Sequence, residues 1–124
     1  MKIFLCDSNI FIDYLRGYRK TLQLLQDFSR IKVSAVTVGE LLQGARDKKA
    51  LDNIKQMLKN FEVIHTNELI SKKALDILEE HHLASGILLF DAFIAATAME
   101  MNLVLLTTNI KHFKMIKGLK VEKW

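Results

Sequence analysis

The sequence predicts an α/β fold in which a central, mostly parallel sheet of about five short strands is flanked by helices. Short apolar runs of strand length alternate along the chain with longer segments that look helical. The 124 residues include no proline and only five glycines, and no linker, repeat or low-complexity segment divides them. We therefore expect one domain over residues 1–124, with its site at the carboxyl ends of the strands, where such sheets bind ligands.

The first half of the chain is predicted to alternate strands and helices. The apolar run before Asp7 is short and is followed by Asp-Ser-Asn, which is typical of a buried strand that leads into a helix. Similar short apolar runs recur as far as residue 65. The predicted elements are a strand at Lys2–Cys6, helices at Asn9–Leu15 and Tyr18–Phe28, a strand at Ile31–Ser34, helices at Val38–Ala45 and Lys48–Phe61, and a strand at Glu62–His65.

The second half is predicted to contain two helices followed by two strands. NELISKKALDILEEHHL has apolar residues at the spacing of an amphipathic helix. FDAFIAATAMEM continues as a helix, and LVLLT has the length and apolar character of a buried strand. The predicted elements are helices at Asn67–Leu83 and Phe90–Met101, a strand at Leu103–Thr107 and a short last strand at Leu119–Glu122.

Composition limits the classes of protein that the chain can belong to. Half of its residues are hydrophobic, which suits one folded core and excludes a disordered chain. The net charge of +4 permits a nucleic-acid partner without demanding one. Cys6 is the single cysteine and cannot form an internal disulfide, so we expect a cytoplasmic protein. The apolar stretch 87–106 is interrupted by Asp91, Glu100 and Asn102, so we expect a buried helix and a strand there and no membrane contact.

Two acids lie where predicted helices start. Asp7 ends the first predicted strand, at the edge where sheets of this kind do chemistry; alternatively, it caps the next helix. Glu40 lies three residues after Thr37, which matches a capping box, and this structural alternative is strong for Glu40 taken alone. Its neighbours Leu41 and Leu42 are apolar, however, which places the carboxylate beside a buried face.

The other two candidates lie in the last third of the chain. Asp91 shares a helix face with apolar Ile94 and Ala95, so its carboxylate would be desolvated and would need a compensating cation or donor. The alternative is that Asp91 caps a helix that begins at Ala92. Asn109 follows the strand that ends at Thr107, and it could also be an ordinary cap of the next turn.

Three carboxylates and one amide from four distant segments could converge at the top of the sheet. Oxygen ligands of this kind, usually one or two carboxylates completed by water, suit the hard cations Mg²⁺ and Mn²⁺. The pattern therefore predicts a divalent metal site formed by Asp7, Glu40 and Asp91, with Asn109 beside it.

At these positions the chain resembles PIN-domain proteins, and most closely the small VapC-type ribonuclease toxins of toxin–antitoxin pairs. The resemblance runs from LCDSNIFIDYL through VSAVTVGELLQGA and FDAFIAATAMEMNLVLLTTNIKHF to GLKVEKW. It implies that Asp7, Glu40 and Asp91 are the acidic metal-site residues, with Ser8 as the hydroxyl beside the first acid and Asn9 as a buried organiser. The family often has a fourth acid in place of Asn109 or His112. This chain has neither, so we expect one well-held ion.

The resemblance implies metal-assisted hydrolysis of a phosphodiester in single-stranded or loop RNA, such as transfer or ribosomal RNA. Asp7 and Asp91 would be direct ligands, Glu40 would hold or deprotonate the water, and Asn109 would position the surrounding groups. The implied partners are an antitoxin of the VapB kind that covers the active groove, and a second copy of the chain in a homodimer. The residues that could contact RNA phosphates, or simply form a solvated surface, are Arg46, Lys111, His112 and Lys114.

Two other interpretations compete with a nuclease. A phosphotransferase of the haloacid-dehalogenase type also places an aspartate after its first strand, but it needs a second one where this chain has Asn9. The stronger alternative is a catalytically weak or inactive PIN fold that acts through protein or RNA contacts, which Asn109 favours. Three converging carboxylates without a metal would repel one another, which argues against that alternative.

Overall fold

Five parallel strands form the centre of the part of the chain that a computed structural model describes, residues 2–124. Their order across the sheet is β3-β2-β1-β4-β5, and each adjacent pair is parallel. The predicted fold class is confirmed. The strands are β1 at Phe4–Cys6, β2 at Ile31–Ser34, β3 at Glu62–Ile64, β4 at Val104–Thr107 and β5 at Val121–Lys123.

Helices connect the strands and cover both faces of the sheet. They are α1 at Ser8–Leu15, α2 at Arg19–Leu24, α3 at Ala35–Gln43, α4 at Lys48–Leu58, α5 at Glu68–Ser85 and α6 at Leu89–Glu100. Short 3-10 turns lie at Phe28–Arg30 and Ile110–His112. Within residues 2–124 no helix is both long enough and apolar enough to cross a membrane. The apolar stretch 87–106 is α6 followed by β4, as predicted.

The helix predicted at Tyr18–Phe28 is wrong in its extent. The structure has only Arg19–Leu24 as α-helix. Leu25 is fully buried and its backbone N–H closes the helix on the Thr21 carbonyl. The Ser29 hydroxyl then donates to Asp27 Oδ1 at 2.6 Å, a local bond that favours a turn over further helix.

Alternation along β1 divides the apolar core between the two faces of the sheet. Leu5 packs with α5 and α6 on one face, whereas Phe4 and Cys6 pack with α1, α3 and α4 on the other. Because β1 is covered on both sides, its side chains are all buried, which explains the uninterrupted apolar run in the sequence.

The strand order reverses at β1, which determines where a site can form. From β1 the chain moves to β2 and β3 on one side and later returns to β4 on the other side. In open α/β sheets such a switch point opens a crevice at the carboxyl ends of the two strands. Cys6 pairs with Leu106 in register, so Asp7 and Thr107 leave the sheet side by side.

Candidate active site

Asp7 lies at the carboxyl end of β1 and is only 6% exposed. Its backbone N–H donates to the Leu106 carbonyl at 3.0 Å, which continues the pairing of β1 with β4. Oδ1 accepts the Ser8 backbone N–H at 2.7 Å, so Asp7 is the N-cap of α1. Oδ2 accepts the Thr107 hydroxyl at 2.8 Å. Asp7 therefore does cap α1, and this hydrogen bond also holds its carboxylate in the crevice at the switch point.

Glu40 does not form the capping box that the sequence suggested. Ser34 is the N-cap of α3, and its hydroxyl accepts the Thr37 backbone N–H at 3.1 Å. Thr37 lies inside the helix, because α3 begins directly after β2 ends. Glu40 Oε1 is buried and accepts no hydrogen bond from residues 2–124. Burial raises the pKa of the Glu40 carboxyl, and the nearby charges of Asp7 and Asp91 raise it further.

Asp91 lies in the first turn of α6 and does not cap a helix beginning at Ala92. The helix begins at Leu89, and the Asp91 carboxylate accepts the backbone N–H of Leu88, the N-cap residue. Burial raises the pKa of Asp91 and the charge of Asp7 raises it further, while His112 and the Leu88 N–H oppose the shift. The pKa shifts of Glu40 and Asp91 both depend on Asp7, so the three carboxylates share one electrostatic environment.

Asn109 occupies the N-cap position of the 3-10 turn, but its side chain does not cap that turn. Its backbone N–H donates to the Thr107 hydroxyl at 3.0 Å. Its side-chain Nδ2 lies 3.0 Å from Nδ1 of His112, and the same imidazole nitrogen lies 3.5 Å from Oδ2 of Asp91. The roles in these two contacts follow the imidazole tautomer: Nδ1 accepts from the Asn109 amide when it carries no proton and donates to Asp91 when it carries one. Asn109 therefore holds His112 beside the carboxylates.

Asn9 is not the buried organiser that the resemblance implied. Its side chain is exposed and donates to the Thr108 hydroxyl at 3.3 Å, so it links α1 to the end of β4 on the outside of the crevice. Asp7 itself caps α1, and Asn9 is the exposed second residue of that helix. Cys6 is fully buried, and burial together with Asp7 raises the pKa of its thiol to about 12, so it is a core residue and not a nucleophile.

The oxygen atoms of Asp7, Glu40 and Asp91 suit a divalent cation, although the described residues do not form a complete set of metal ligands. No three His, Cys, Asp or Glu side chains within residues 2–124 converge closely enough to form a complete ligand cluster. Mg²⁺ needs none, because it is typically held by one or two carboxylates and keeps several waters. Glu40 Oε1 is buried without a partner among the described residues, and burial followed by like charges raises the pKa of Glu40 and Asp91. A cation between the carboxylates would relieve both conditions.

The four candidate RNA contacts lie in two places. Arg46 follows α3 and lines a groove of about 460 Å³ that also includes Glu40. Lys111 and Lys114 are exposed on and just after the turn that follows Asn109, and neither has an ion-pair partner among the described residues. His112 is half-buried and belongs to the carboxylate cluster itself.

Thr107 is a residue of the site that the sequence alone did not single out. It is fully buried and joins Asp7 to the Asn109 backbone through one hydroxyl. The signal was a polar residue at the end of an otherwise apolar strand, LVLLT. Thr107 could be recognised as a site residue only once β4 was known to lie beside β1, and the sequence did not show that pairing.

Comparison with known proteins identifies the family of the chain. The family model for the PIN domain matches residues 4–119. Ribonuclease VapC10 of Mycobacterium tuberculosis is 32% identical over 122 residues, which cover 95% of this chain and 91% of that protein.

Solved structures agree as well. A toxin–antitoxin complex from Klebsiella pneumoniae contains a chain that is 28% identical, with a TM-score of 0.78 and 95% of each chain covered. The DNA-bound VapBC complex of Salmonella typhimurium has the same fold at 23% identity, with a TM-score of 0.83 over 100% of this chain and 99% of that one. The chain therefore belongs to the PIN-domain family and, within it, to the VapC ribonuclease toxins of toxin–antitoxin systems.

Proposed function

We propose that this protein is a metal-dependent endoribonuclease that hydrolyses phosphodiester bonds in single-stranded or loop RNA, such as transfer or ribosomal RNA. One observation carries the proposal. Carboxylates from the end of β1, from α3 and from the start of α6 share one electrostatic environment at the switch point of the sheet, where Glu40 Oε1 is buried without a hydrogen-bond partner. Relatives that match nearly the whole chain are named ribonucleases.

Asp7 and Asp91 would hold Mg²⁺ or Mn²⁺, and Glu40 would act on the attacking water. When bound, the cation would polarise a phosphate oxygen and make water more acidic. Asp7 is fixed by two hydrogen bonds, and each of its oxygens retains a lone pair that can face a cation. The raised pKa makes Glu40 a better proton acceptor near neutral pH than an ordinary carboxylate, so it takes the proton of the water as the water attacks.

Asn109 and His112 would position the remaining groups. When Nδ1 of His112 accepts from the Asn109 amide, the neutral ring carries its proton on Nε2, where it would be available to a phosphate oxygen. An amide and an imidazole add no negative charge, so the site holds one cation well rather than two. Arg46, Lys111 and Lys114 then balance the phosphates on either side, since their cationic groups are exposed and unpaired among residues 2–124.

Two protein partners belong to the proposal. Structural neighbours occur in complexes with antitoxins, and we expect an antitoxin of the VapB kind to cover the active groove here. We also expect a homodimer. The supporting observation is a patch of exposed apolar side chains on α5 and at the start of α6, where Leu75, Leu83, Leu88 and Leu89 line one shallow groove. RNA hydrolysis and the single reduced Cys6 both suit the cytoplasm.

The first test is cleavage of mixed single-stranded RNA, and of folded transfer and ribosomal fragments, by the purified protein with Mg²⁺, with Mn²⁺ and with EDTA. We expect cleavage only with metal and a loss of at least about 100-fold in Asp7→Asn and Asp91→Asn. Asp76→Asn, an exposed aspartate on α5, is the matched control and should cleave normally.

Thermal stability gives a readout that does not depend on finding the RNA target. Millimolar Mn²⁺ should raise the Tm of the wild type and of Asp76→Asn, and should leave Asp91→Asn unchanged. An absence of cleavage with every RNA, together with no metal effect on Tm, would replace this proposal with the inactive binding module.

A further inference from the structure

The groove beside Glu40 leads away from the carboxylate cluster and has properties that the proposed chemistry at the cluster does not explain. It lies between the end of α1, the end of α3 and the first half of α4, with a volume of about 460 Å³. Its apolar lining comes mainly from Ile12, Leu15, Leu41 and Ile54. Because Glu40 lines this groove and also interacts with Asp7 and Asp91, the groove is continuous with the cluster.

Two arginines face this groove without partners. Arg16 and Arg46 line it, both are exposed, and neither forms an ion pair with any of residues 2–124. The one acid in the groove besides Glu40 is Asp47, and its Oδ1 accepts the Ala50 backbone N–H at 2.8 Å as the N-cap of α4. The groove therefore combines two guanidinium groups, neither of them in an ion pair with the described residues, with an apolar lining.

We propose that this groove, the Arg16–Arg46 groove, binds the nucleotides of single-stranded RNA that lie next to the scissile phosphate. The inference rests on the proposed function and names the part of the protein that holds its substrate. Guanidinium groups bind phosphates in pairs of hydrogen bonds and stack on unpaired bases, while an apolar floor accepts a base face. Both guanidinium groups are exposed and free of ion pairs within residues 2–124, so they are available to phosphate oxygens.

Binding can be measured separately from cleavage in an Asp91→Asn background. The probe is a fluorescently labelled single-stranded RNA of mixed sequence, about ten nucleotides long, whose anisotropy is followed from low to high salt. Arg16→Ala and Arg46→Ala should each weaken binding about fivefold or more at low salt and reduce the slope of log affinity against log salt by about 0.7. Arg19→Ala, an exposed arginine on α2 outside the groove, should change neither quantity.

A second variant tests the apolar floor without changing charge. Ala50 lines the groove from α4, so Ala50→Leu should fill it and weaken RNA binding while the salt slope stays the same. Ala84→Leu, at an exposed position on α5, is its control. Loss of affinity in Ala50→Leu but not in Ala84→Leu supports a base on the floor.

The outcomes distinguish this inference from the proposed function. RNA binding that persists unchanged in Arg16→Ala and Arg46→Ala overturns the inference, and the cleavage proposal would stand. If those variants keep RNA affinity and instead lose binding to a co-purifying antitoxin, the groove is a protein site and the inference fails. If the parent binds no RNA and the wild type cuts none, both the inference and the proposed function fail.

Discussion

At the scale of single residues, the charges of two of the carboxylates, Glu40 and Asp91, make the metal-free protein less stable than it would be without them. Asp7, Glu40 and Asp91 are drawn together by the fold, and burial adds to the cost of keeping Glu40 and Asp91 charged. Buried, mutually repelling carboxylates with shifted pKa values are found mainly at functional sites, where their chemistry offsets the loss of stability. Removing one charge should therefore stabilise the metal-free fold while impairing the site.

Glu40→Gln should raise the Tm of the metal-free protein by about 2–5 °C near neutral pH. The raised pKa means that folded Glu40 keeps its proton at pH values where the unfolded chain has lost it, so the free energy of unfolding falls as pH rises through that range. The advantage of Glu40→Gln should thus be absent below the ordinary pKa of 4.5 and should grow above it.

Calorimetry in EDTA across pH would measure this difference, with Glu79→Gln, an exposed acid on α5, as the control that stays flat. An advantage that shrank as pH rose would contradict the shared electrostatic environment of the carboxylates. Saturating Mn²⁺ should stabilise the wild type more than Glu40→Gln, because the cation removes the repulsion.

Thr107→Val should destabilise the protein by about 1–3 kcal/mol. The Thr107 hydroxyl donates to Asp7 Oδ2 and accepts the Asn109 N–H, so valine leaves both groups without that partner. Thr97→Val is the matched control, since the Thr97 hydroxyl only donates to the Phe93 carbonyl one helical turn earlier, and it should cost less than about 0.5 kcal/mol. Urea unfolding would compare them, and equal costs would show that Thr107 contributes only ordinary packing.

At the scale of elements, each carboxylate is positioned by a strand or helix terminus. Asp7 caps α1 and Asp91 lies in the first turn of α6, so both lie at the end of a helix where backbone N–H groups are free. Glu40 comes from the middle of α3, where the backbone N–H groups are already paired within the helix. Its Oε1 therefore has no backbone donor at hand and no partner among residues 2–124.

The turn between α5 and α6 sets the start of α6 and therefore the position of Asp91. Gly86 ends α5 with φ +76°, a left-handed conformation that disfavours a side chain. Gly86→Ala should cost about 1 kcal/mol by urea unfolding. Gly39→Ala, inside α3 where an added Cβ meets nothing within 4 Å, should instead stabilise by about 0.5–1 kcal/mol. Effects of the same sign would exclude backbone conformation as the cause.

At the scale of the whole molecule, the apolar patch on α5 and α6 bears on assembly. Leu83, which belongs to this patch, is 96% exposed, and residues 88–90 directly precede Asp91 in the chain. A dimer formed through this patch would place two carboxylate clusters near one interface and would cover apolar surface that water now reaches.

Leu83→Lys should shift the protein from dimer to monomer at micromolar concentration, measured by light scattering after gel filtration. Leu69→Lys is the matched control, because Leu69 is also exposed on α5 but lies at its other end, about 21 Å from Leu83 along the helix axis. A wild type that is monomeric at that concentration would contradict the homodimer, and a dimer that survives Leu83→Lys would place the interface elsewhere.

The sequence by itself determined the fold class, most element positions and the four candidate polar positions. Alternating apolar runs predicted the parallel sheet because a strand covered on both faces must be apolar throughout. The predictions that were wrong concern single residues and the end of one helix. The extent of α2 depended on the burial of Leu25, and the exposure of Asn9 depended on Asp7 being the N-cap of α1.

The tertiary structure alone decided which polar residues meet. Glu40 taken alone matched a capping box better than a metal site, and the structure excludes the capping box because Ser34 is the cap of α3. Asp7 and Thr107 are 100 residues apart in sequence, yet the Thr107 hydroxyl oxygen lies 2.8 Å from Asp7 Oδ2 because β4 returns to lie beside β1. Local propensity acts over a few residues, whereas a site is formed by strand order, and strand order is a property of the whole packed sheet.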